Sequence, residues 1–330
     1  MKRIITIISV LFLLSQCKTD PNSTNTNTET TTNNELKLND APTFNEDSAY
    51  IYVKKQVDFG PRVPNSTAHT ETKQWLSNFL KQYADTVIEQ NADLKAFDGN
   101  ILKSTNIIAS FNTENKDRIL LCAHWDTRPF ADQDKENIKE PITGANDGAS
   151  GVAVLLEIAR QIKTKDINKG IDIILFDAED YGQPNFSTDD YMPNSYCLGS
   201  QYWAKNLHTP NYKAQFGILL DMVGAPNAVF TMEGTSVNFA NDYLHQVWKI
   251  AHAIGYSSYF SYKETSPITD DHLYINQIAK IPTLDIIHYD ATTPSGFGWY
   301  WHTHKDNMDA IDKNTLKAVG QTVLQTIYQD

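Results

Sequence analysis

Residues 118–126 read Arg-Ile-Leu-Leu-Cys-Ala-His-Trp-Asp. The apolar run has the length of a buried strand, and two polar side chains, His124 and Asp126, follow it directly. Three more apolar runs of this length occur at residues 171–176, 216–220 and 283–287. Apolar residues repeat with helical spacing at residues 71–83, 151–163, 237–254 and 314–328. Strands that alternate with helices predict a three-layer α/β fold (αβα), in which helices cover a mostly parallel, twisted central sheet and the first helix packs on its edge.

The residues after the first three strands are almost all of types that bind metals. In open α/β sheets, ligands bind beyond the carboxyl ends of the strands. The residues at those positions are His124, Asp126, Asp177, Glu179, Asp180 and Asp221. Carboxylates that converge on one edge raise each other's pKa unless a cation neutralises them. Imidazole and carboxylate ligands without a thiolate suit Zn²⁺ in a catalytic site, so the sequence predicts a zinc site here.

Five short motifs follow one another along the chain. They are His124-Trp125-Asp126, residues 145–151 (Ala-Asn-Asp-Gly-Ala-Ser-Gly), residues 177–180 (Asp-Ala-Glu-Asp), residues 221–224 (Asp-Met-Val-Gly), and Trp301-His302-Thr303 followed by Asp306. In this order and in these strand and helix contexts, the chain resembles the M28 metallopeptidase superfamily. The resemblance implies a single phosphorylase/hydrolase-like zinc-exopeptidase domain, which we place at residues 44–330.

The resemblance also implies a ligand set, but it leaves the number of metal ions open. The superfamily's ligand positions fall here on His124, Asp147, Asp180, Asp221 and His302. Its aminopeptidases hold two zinc ions with all five. Its glutaminyl-peptide cyclotransferases hold one, which would fall here on Asp147, Asp180 and His302. Asp221 would then be an acid beside the metal, and His124 either a ligand or an orienting residue.

Two further assignments follow from the same motifs. The general base of the superfamily falls on Glu179. His304 competes with His302 for the last ligand position, and we favour His302 because it fits the superfamily's His-Thr pattern.

Three features favour the bacterial glutaminyl-peptide cyclotransferases over the aminopeptidases. They are Asp-Ala-Glu-Asp in place of paired glutamates, Thr269-Asp270-Asp271-His272 before the last strand, and Trp301 directly before His302. The resemblance then implies conversion of the N-terminal glutamine of peptides or proteins to pyroglutamate with release of ammonia. Zinc would polarise the γ-amide carbonyl, Glu179 would act as general base and acid, and Asp221 with Asp270 would form an acidic relay. Trp301 and Trp203 would line the substrate slot, and core packing is the alternative role for each.

Two other functions remain open. A zinc aminopeptidase that removes N-terminal residues would use the same ligands, with a second metal at His124 and Asp221. A non-catalytic binding protein is disfavoured, because every ligand position and the base position carry competent side chains.

The N-terminal segment predicts export. Lys2 and Arg3 precede an apolar run, residues 4–14, that is too short to cross a bilayer as a helix, which is typical of a signal peptide (residues 1–16). Leu-Ser-Gln-Cys at its end is similar to the lipobox of bacterial lipoproteins, which implies lipidation of Cys17. Residues 17–43 are predicted to form a flexible Thr/Asn-rich tether. We therefore expect an exported lipoprotein of the cell envelope, on the periplasmic side of the inner or outer membrane or at the cell surface.

The composition restricts the partners. The formal net charge is −12, and no cluster of Lys or Arg occurs in the predicted domain, which argues against nucleic acid and anionic membrane surfaces as ligands. The expected partners are peptide N-termini as substrates and a membrane through the lipid anchor alone, and we expect a monomer. Cys122 and Cys197 are both expected to be structural.

Overall fold

The computed structural model describes residues 36–329. The strands are β1 (Thr86–Lys95), β2 (Ile101–Phe111), β3 (Arg118–His124), β4 (Gly170–Phe176), β5 (Phe216–Asp221), β6 (Phe230–Glu233), β7 (Phe260–Thr265) and β8 (Thr283–Ile287). The helices are α1 (Glu46–Asp58), α2 (Thr67–Leu80), α3 (Ala149–Ile162), α4 (Leu198–Lys205), α5 (Gly234–Ala253), α6 (Asp271–Tyr274) and α7 (Lys313–Ile327). The predicted signal peptide, Cys17 and the first part of the tether lie outside the described residues.

The central sheet has six strands in the order β1-β2-β4-β3-β5-β8. The four apolar runs of the sequence form β4, β3, β5 and β8, which are parallel to one another. β1 and β2 add an antiparallel hairpin at one edge. We did not predict this hairpin, because most residues of β1 are polar, with no regular alternation, and the strand stays half exposed. β6 and β7 form a separate two-stranded parallel sheet that was also not predicted.

Helices cover both faces of the sheet, as the three-layer prediction requires. Alternate residues of β3 show the two sides: Leu121 packs in a large core with α1, α3, α5 and α7, and Leu120 packs in a smaller core with α4. The smaller core also contains Trp203 from α4 and Ile275 from the π-helical turn after α6. The predicted α/β class and layer order are confirmed.

The predicted flexible tether is too long at its carboxyl end. The main-chain oxygens of Asn39 and Pro42 accept hydrogen bonds from the side chains of Gln325 and Gln321, at 2.8 and 3.1 Å. Both glutamines belong to α7, so the last part of residues 17–43 is attached to the domain surface. Between residues 36 and 329, no helix is both long and apolar enough to cross a bilayer.

The close packing of α3 on the sheet fixes the geometry of the strand ends. A Cβ atom at Gly151 would lie 2.2 Å from the carbonyl oxygen of Leu220, so only glycine lets the first turn of α3 approach β5. β3 ends at His124 and β5 ends at Asp221. The carboxyl ends of neighbouring parallel strands are thereby held beside the start of α3.

Candidate metal centre and active site

Asp147, Asp180 and His302 come together in one buried group. Each offers one ligand atom within 4.8 Å of the others. The Nε2 atom of His302 lies 3.3 Å from Oδ1 of Asp180 and 3.8 Å from Oδ2 of Asp147. The three side chains come from different parts of the chain: the turn before α3, the loop after β4 and the turns after β8. This is the set of three that the resemblance implied for a single zinc ion.

The chemistry of these three side chains fits a divalent cation. Oδ2 of Asp180 is buried and accepts no hydrogen bond within the part of the chain that the structure describes. Burial, together with the nearby Asp147 carboxylate, raises the pKa of Asp180 to about 6. Two carboxylates and an imidazole that converge without a balancing charge are the donor set that Zn²⁺ binds. His304, the competing candidate, lies at the surface, and its Nδ1 is 3.1 Å from Oδ2 of Asp134.

A second group shares Asp147 and includes His124 and Asp221. The Nε2 atom of His124 lies 3.1 Å from Oδ1 of Asp147 and 3.3 Å from Oδ1 of Asp221. Burial raises the pKa of Asp221 to about 7. The ligand atoms of these three residues again lie within 4.8 Å of one another. This arrangement has the donors for a second cation beside the first.

Glu179 is adjacent to Asp180 in the loop after β4. Asp126 holds this loop with its carboxylate: Oδ1 accepts the main-chain N–H of Glu179 at 3.0 Å and Oδ2 accepts that of Asp180 at 3.2 Å. Nδ1 of His124 is farther away, 3.6 Å from Oδ1 of Asp126. Burial raises the pKa of Glu179 well above its usual range. A carboxyl group of this kind can accept a proton and keep it during a reaction.

The Cys197 thiol donates a hydrogen bond to Oε1 of Glu179 at 3.0 Å. Both remaining cysteines, which we expected to be structural, are buried: Cys122 lies in the smaller core, whereas Cys197 contacts the candidate base. No sequence signal distinguished the two thiols, because the contact depends on the fold of the segment before α4.

Asp270 belongs to a further group of acidic side chains next to the candidate metal ligands. It lies close to Glu179 on one side and to His272 and Asp285 on the other. Burial raises the pKa of Asp270, and burial together with Asp270 raises that of Asp285 well above its usual range. Asp221 and Asp270 face the same cavity as Glu179. We missed Asp285, although a single aspartate inside the apolar run at residues 283–287 marks a buried acid.

A cavity of about 300 Å³ opens above these groups. Glu179, Asp180, Asp221, Asp270 and His302 form its polar part. Its apolar lining includes Ile268, Tyr274, Ile287, Phe297 and Trp301. The Trp301 ring stacks on the His302 ring, with 4.0 Å between the ring centroids. The cavity therefore combines the candidate metal ligands and base with an aromatic wall.

Trp203 does not line this cavity, so its assignment to the substrate slot is wrong. It is fully buried on α4, where its ring packs against Phe176 and Tyr212. Its indole N–H donates to Nδ1 of His208 at 3.1 Å. Trp203 packs on the sheet because it lies on the inner face of α4. Trp301 reaches the cavity because it is in a turn at the strand ends.

Two residues that we did not predict contact the candidate metal ligands. The carboxylate of Asp132 lies 3.2 Å from Nδ1 of His302. Arg128 donates to the main-chain oxygen of Asp180 at 2.9 Å. Neither belongs to a motif that the sequence showed, and their only signal is that they follow the strand-end residues of β3.

Comparison with known proteins agrees with this geometry. The model of peptidase family M28 matches residues 106–327. A crystal structure of Bacteroides thetaiotaomicron glutaminyl cyclase bound to N-acetylhistamine is 54% identical, with a TM-score of 0.86, and the match covers 88% of this chain and 100% of that chain.

More distant relatives include proteins of both activities. Aminopeptidase YwaD of Bacillus subtilis is 29% identical over 252 residues, which are 73% of this chain and 47% of that protein. The glutaminyl-peptide cyclotransferase of Boiga irregularis is 26% identical over 243 residues, which are 66% of this chain and 63% of that protein. This chain thus spans between about half and two thirds of the length of these relatives. The extent of the family match shows that the chain belongs to peptidase family M28.

Proposed function

We propose that this protein is a zinc-dependent glutaminyl-peptide cyclotransferase, which converts the N-terminal glutamine of peptides or proteins to pyroglutamate and releases ammonia. The observation that carries the proposal is the largely buried Glu179 carboxyl, placed beside three convergent candidate metal ligands in a small cavity with an aromatic wall. The 54% identical glutaminyl cyclase of Bacteroides thetaiotaomicron supports it.

Asp147, Asp180 and His302 would hold one zinc ion, which when bound polarises the γ-amide carbonyl of the substrate. Glu179 accepts a proton from the substrate's α-amine as the nitrogen forms a bond to the amide carbon. It then gives this proton to the amide nitrogen, and the bond between that carbon and that nitrogen breaks, so that ammonia leaves. One carboxyl group thus serves as base and then as acid. Its raised pKa suits the second role.

The cavity wall positions the two reacting groups of the substrate. Phe297 and Trp301 form one side, with 4.7 Å between their ring centroids. This apolar side of the cavity favours a bent conformation of the glutamine side chain, in which the amide carbon approaches the α-amine. Because both reacting groups belong to one molecule, this orientation can contribute a large part of the rate enhancement.

The second group, His124, Asp147 and Asp221, favours a zinc aminopeptidase as the alternative. Its ligand atoms could hold a second ion with Asp147 shared between both. Glu179 would then activate a water molecule to cut the first peptide bond. The two functions differ in their products and in the number of bound zinc ions.

The division of roles is tested by comparing Glu179→Gln with Asp180→Ala on a peptide that begins with glutamine. We expect Glu179→Gln to lower the rate of ammonia release by about 10²- to 10⁴-fold, the usual effect of removing a general base. Its zinc content should stay near that of the unchanged protein, whereas Asp180→Ala should lose both zinc and activity. Loss of zinc from a folded Glu179→Gln variant would contradict this assignment.

We further propose that the N-terminal segment exports the protein and that Cys17 carries a lipid anchor, as its lipobox-like sequence supports. Cys17→Ser should release the protein from the membrane fraction. Membrane retention of this variant would contradict the anchor.

A further inference from the structure

A buried ion pair lies against the candidate metal ligands. Arg128 donates from Nε to Oδ1 of Asp132 at 2.8 Å and from Nη2 to Oδ2 at 2.7 Å. The Arg128 side chain is fully buried and that of Asp132 is 1% exposed. Asp132 also accepts the main-chain N–H of Asn185 at 3.0 Å. Both charges are thus held in one orientation.

Asp132 faces the side of His302 that is turned away from the other ligands. Its Oδ1 lies 3.2 Å from Nδ1 of His302, whereas Nε2 of the same ring faces Asp147 and Asp180. A carboxylate at the second nitrogen of a metal-binding histidine fixes the ring orientation and makes the first nitrogen a stronger ligand. Asp132 is within hydrogen-bond distance for this role, but the angle at Nδ1 is not that of a hydrogen bond in the described structure.

Arg128 contacts a second ligand directly. Its Nη1 donates to the main-chain oxygen of Asp180 at 2.9 Å and lies 3.7 Å from Oδ1 of the same residue. A second, longer hydrogen bond joins Nη1 to the main-chain oxygen of Gly182 at 3.4 Å. The guanidinium group therefore holds the loop that carries Asp180 while it balances the charge of Asp132.

We propose that Arg128 and Asp132 form a positioning pair for the metal centre. Through one ion pair, they orient two of the three candidate zinc ligands, His302 and Asp180. The inference rests on the metal-binding part of the proposed function and not on which reaction the protein catalyses. It predicts that the pair contributes to zinc affinity beyond any contribution to folding.

Two variants separate these contributions. Asp132→Asn keeps the shape of the side chain but removes its charge, and it leaves the buried Arg128 without its bidentate carboxylate partner, which can destabilise the fold. The double variant Arg128→Met/Asp132→Leu removes both charges, and buried ion pairs are often replaced by apolar side chains without loss of stability. The double variant therefore provides the test if the single variant does not fold.

The chain offers a matched control. Arg118 donates from Nε to Oδ2 of Asp172 at 2.6 Å and from Nη2 to Oδ1 at 2.7 Å. Arg118 is the first residue of β3, at the opposite end of that strand from His124. Arg118→Met/Asp172→Leu removes a bidentate ion pair of the same kind far from the metal ligands.

The experiment measures zinc affinity by competition with a chromogenic chelator and the melting temperature of the zinc-free proteins. We expect both Arg128/Asp132 variants to bind zinc about 10- to 100-fold more weakly than the unchanged protein. The Arg118/Asp172 variant should stay within about twofold, since distant sites act independently. The visible spectrum of the Co²⁺-substituted double variant should also change, because the ligand geometry is altered.

Three results would overturn the inference. In the first, the folded double variant binds zinc as tightly as the unchanged protein. In the second, the control variant loses the same affinity, which would show a general effect on folding. In the third, the unchanged protein binds no zinc, which would remove the metal centre of the proposed function as well. The first two leave that function intact.

Discussion

Asp126→Asn should weaken the support of the loop that carries Glu179 and Asp180. Each oxygen of the Asp126 carboxylate accepts one main-chain N–H, from Glu179 at 3.0 Å and from Asp180 at 3.2 Å. The Asp126 side chain is fully buried. Asparagine keeps one acceptor oxygen, but its NH₂ group must face the other main-chain N–H. One hydrogen bond is lost, and a buried N–H is left without an acceptor.

The size of the effect follows from these contacts. Losing a hydrogen bond to a charged acceptor, with the N–H donor left buried, costs about 2–3 kcal/mol. Since Asp180 is one of three proposed ligands, we expect most of this free energy to appear as weaker zinc binding. At about 1.4 kcal/mol per factor of ten, the zinc affinity should fall roughly 30- to 150-fold. Turnover should also fall, because Glu179 is in the same loop.

Chelator competition measures the zinc affinity, and urea unfolding of the zinc-free protein measures stability. The control is Asp312→Asn, in which the altered carboxylate accepts two main-chain N–H groups at the start of α7, from Asn314 and Thr315. Because Oδ1 accepts both N–H groups and asparagine caps a helix about as well as aspartate, this change should lower the free energy of unfolding by less than about 1 kcal/mol and leave zinc binding unchanged. A folded Asp126→Asn protein with normal zinc affinity and turnover would refute the role of Asp126.

Three other predictions concern packing, the cavity and pH. Gly151→Ala should lower the free energy of unfolding by about 3 kcal/mol in urea titrations, because the added methyl group would lie 2.2 Å from a carbonyl oxygen of β5; a loss below about 1 kcal/mol would contradict the packing argument. Trp301→Ala should lower kcat/KM for a glutamine peptide by about tenfold or more, whereas Trp203→Phe should cost about 1–3 kcal/mol of stability and leave kcat/KM unchanged; the reverse pattern would restore Trp203 to the slot. Burial alone would raise the pKa of Glu233, but contact with His272 outweighs it and lowers the pKa from 4.5 to about 2. A carboxyl group whose pKa is lower in the folded state stabilises that state at every pH above its pKa in the unfolded chain. The destabilisation by Glu233→Gln should therefore be about 3 kcal/mol at neutral pH and should shrink as the pH falls from about 4.5 to 2. Unfolding of both zinc-free proteins across this range tests it, and a pH-independent difference would contradict it.

The sequence predicted the parts of the fold whose burial is complete. β3, β4, β5 and β8 are buried on both faces, so their apolar runs identify them without reference to the rest of the chain. The hairpin of β1 and β2 is different, because β1 lies at the sheet edge and most of its residues are polar, with no regular alternation. Its pairing depends on the tertiary contacts of β2 with β4, which no local pattern records.

The candidate site likewise has parts that the sequence predicted and parts that it did not. We expected Asp147, Asp180 and His302 to converge because the motif order locates all three, and Asp180 also follows a predicted strand. The geometry of the side chains around them was not predictable. Arg128 and Cys197 reach the site through their own loop conformations, and Cys197 has a left-handed backbone, with φ of 57°. Contacts of this kind depend on side-chain direction and not on sequence spacing.

The most direct test of the proposed function is mass spectrometry of two peptides incubated with the purified protein, one beginning with glutamine and one with leucine, each with and without a zinc chelator. The proposed function predicts that the glutamine peptide alone loses ammonia and that the chelator stops this loss. Release of free leucine from the second peptide, with the glutamine peptide not cyclised, would contradict it and identify an aminopeptidase.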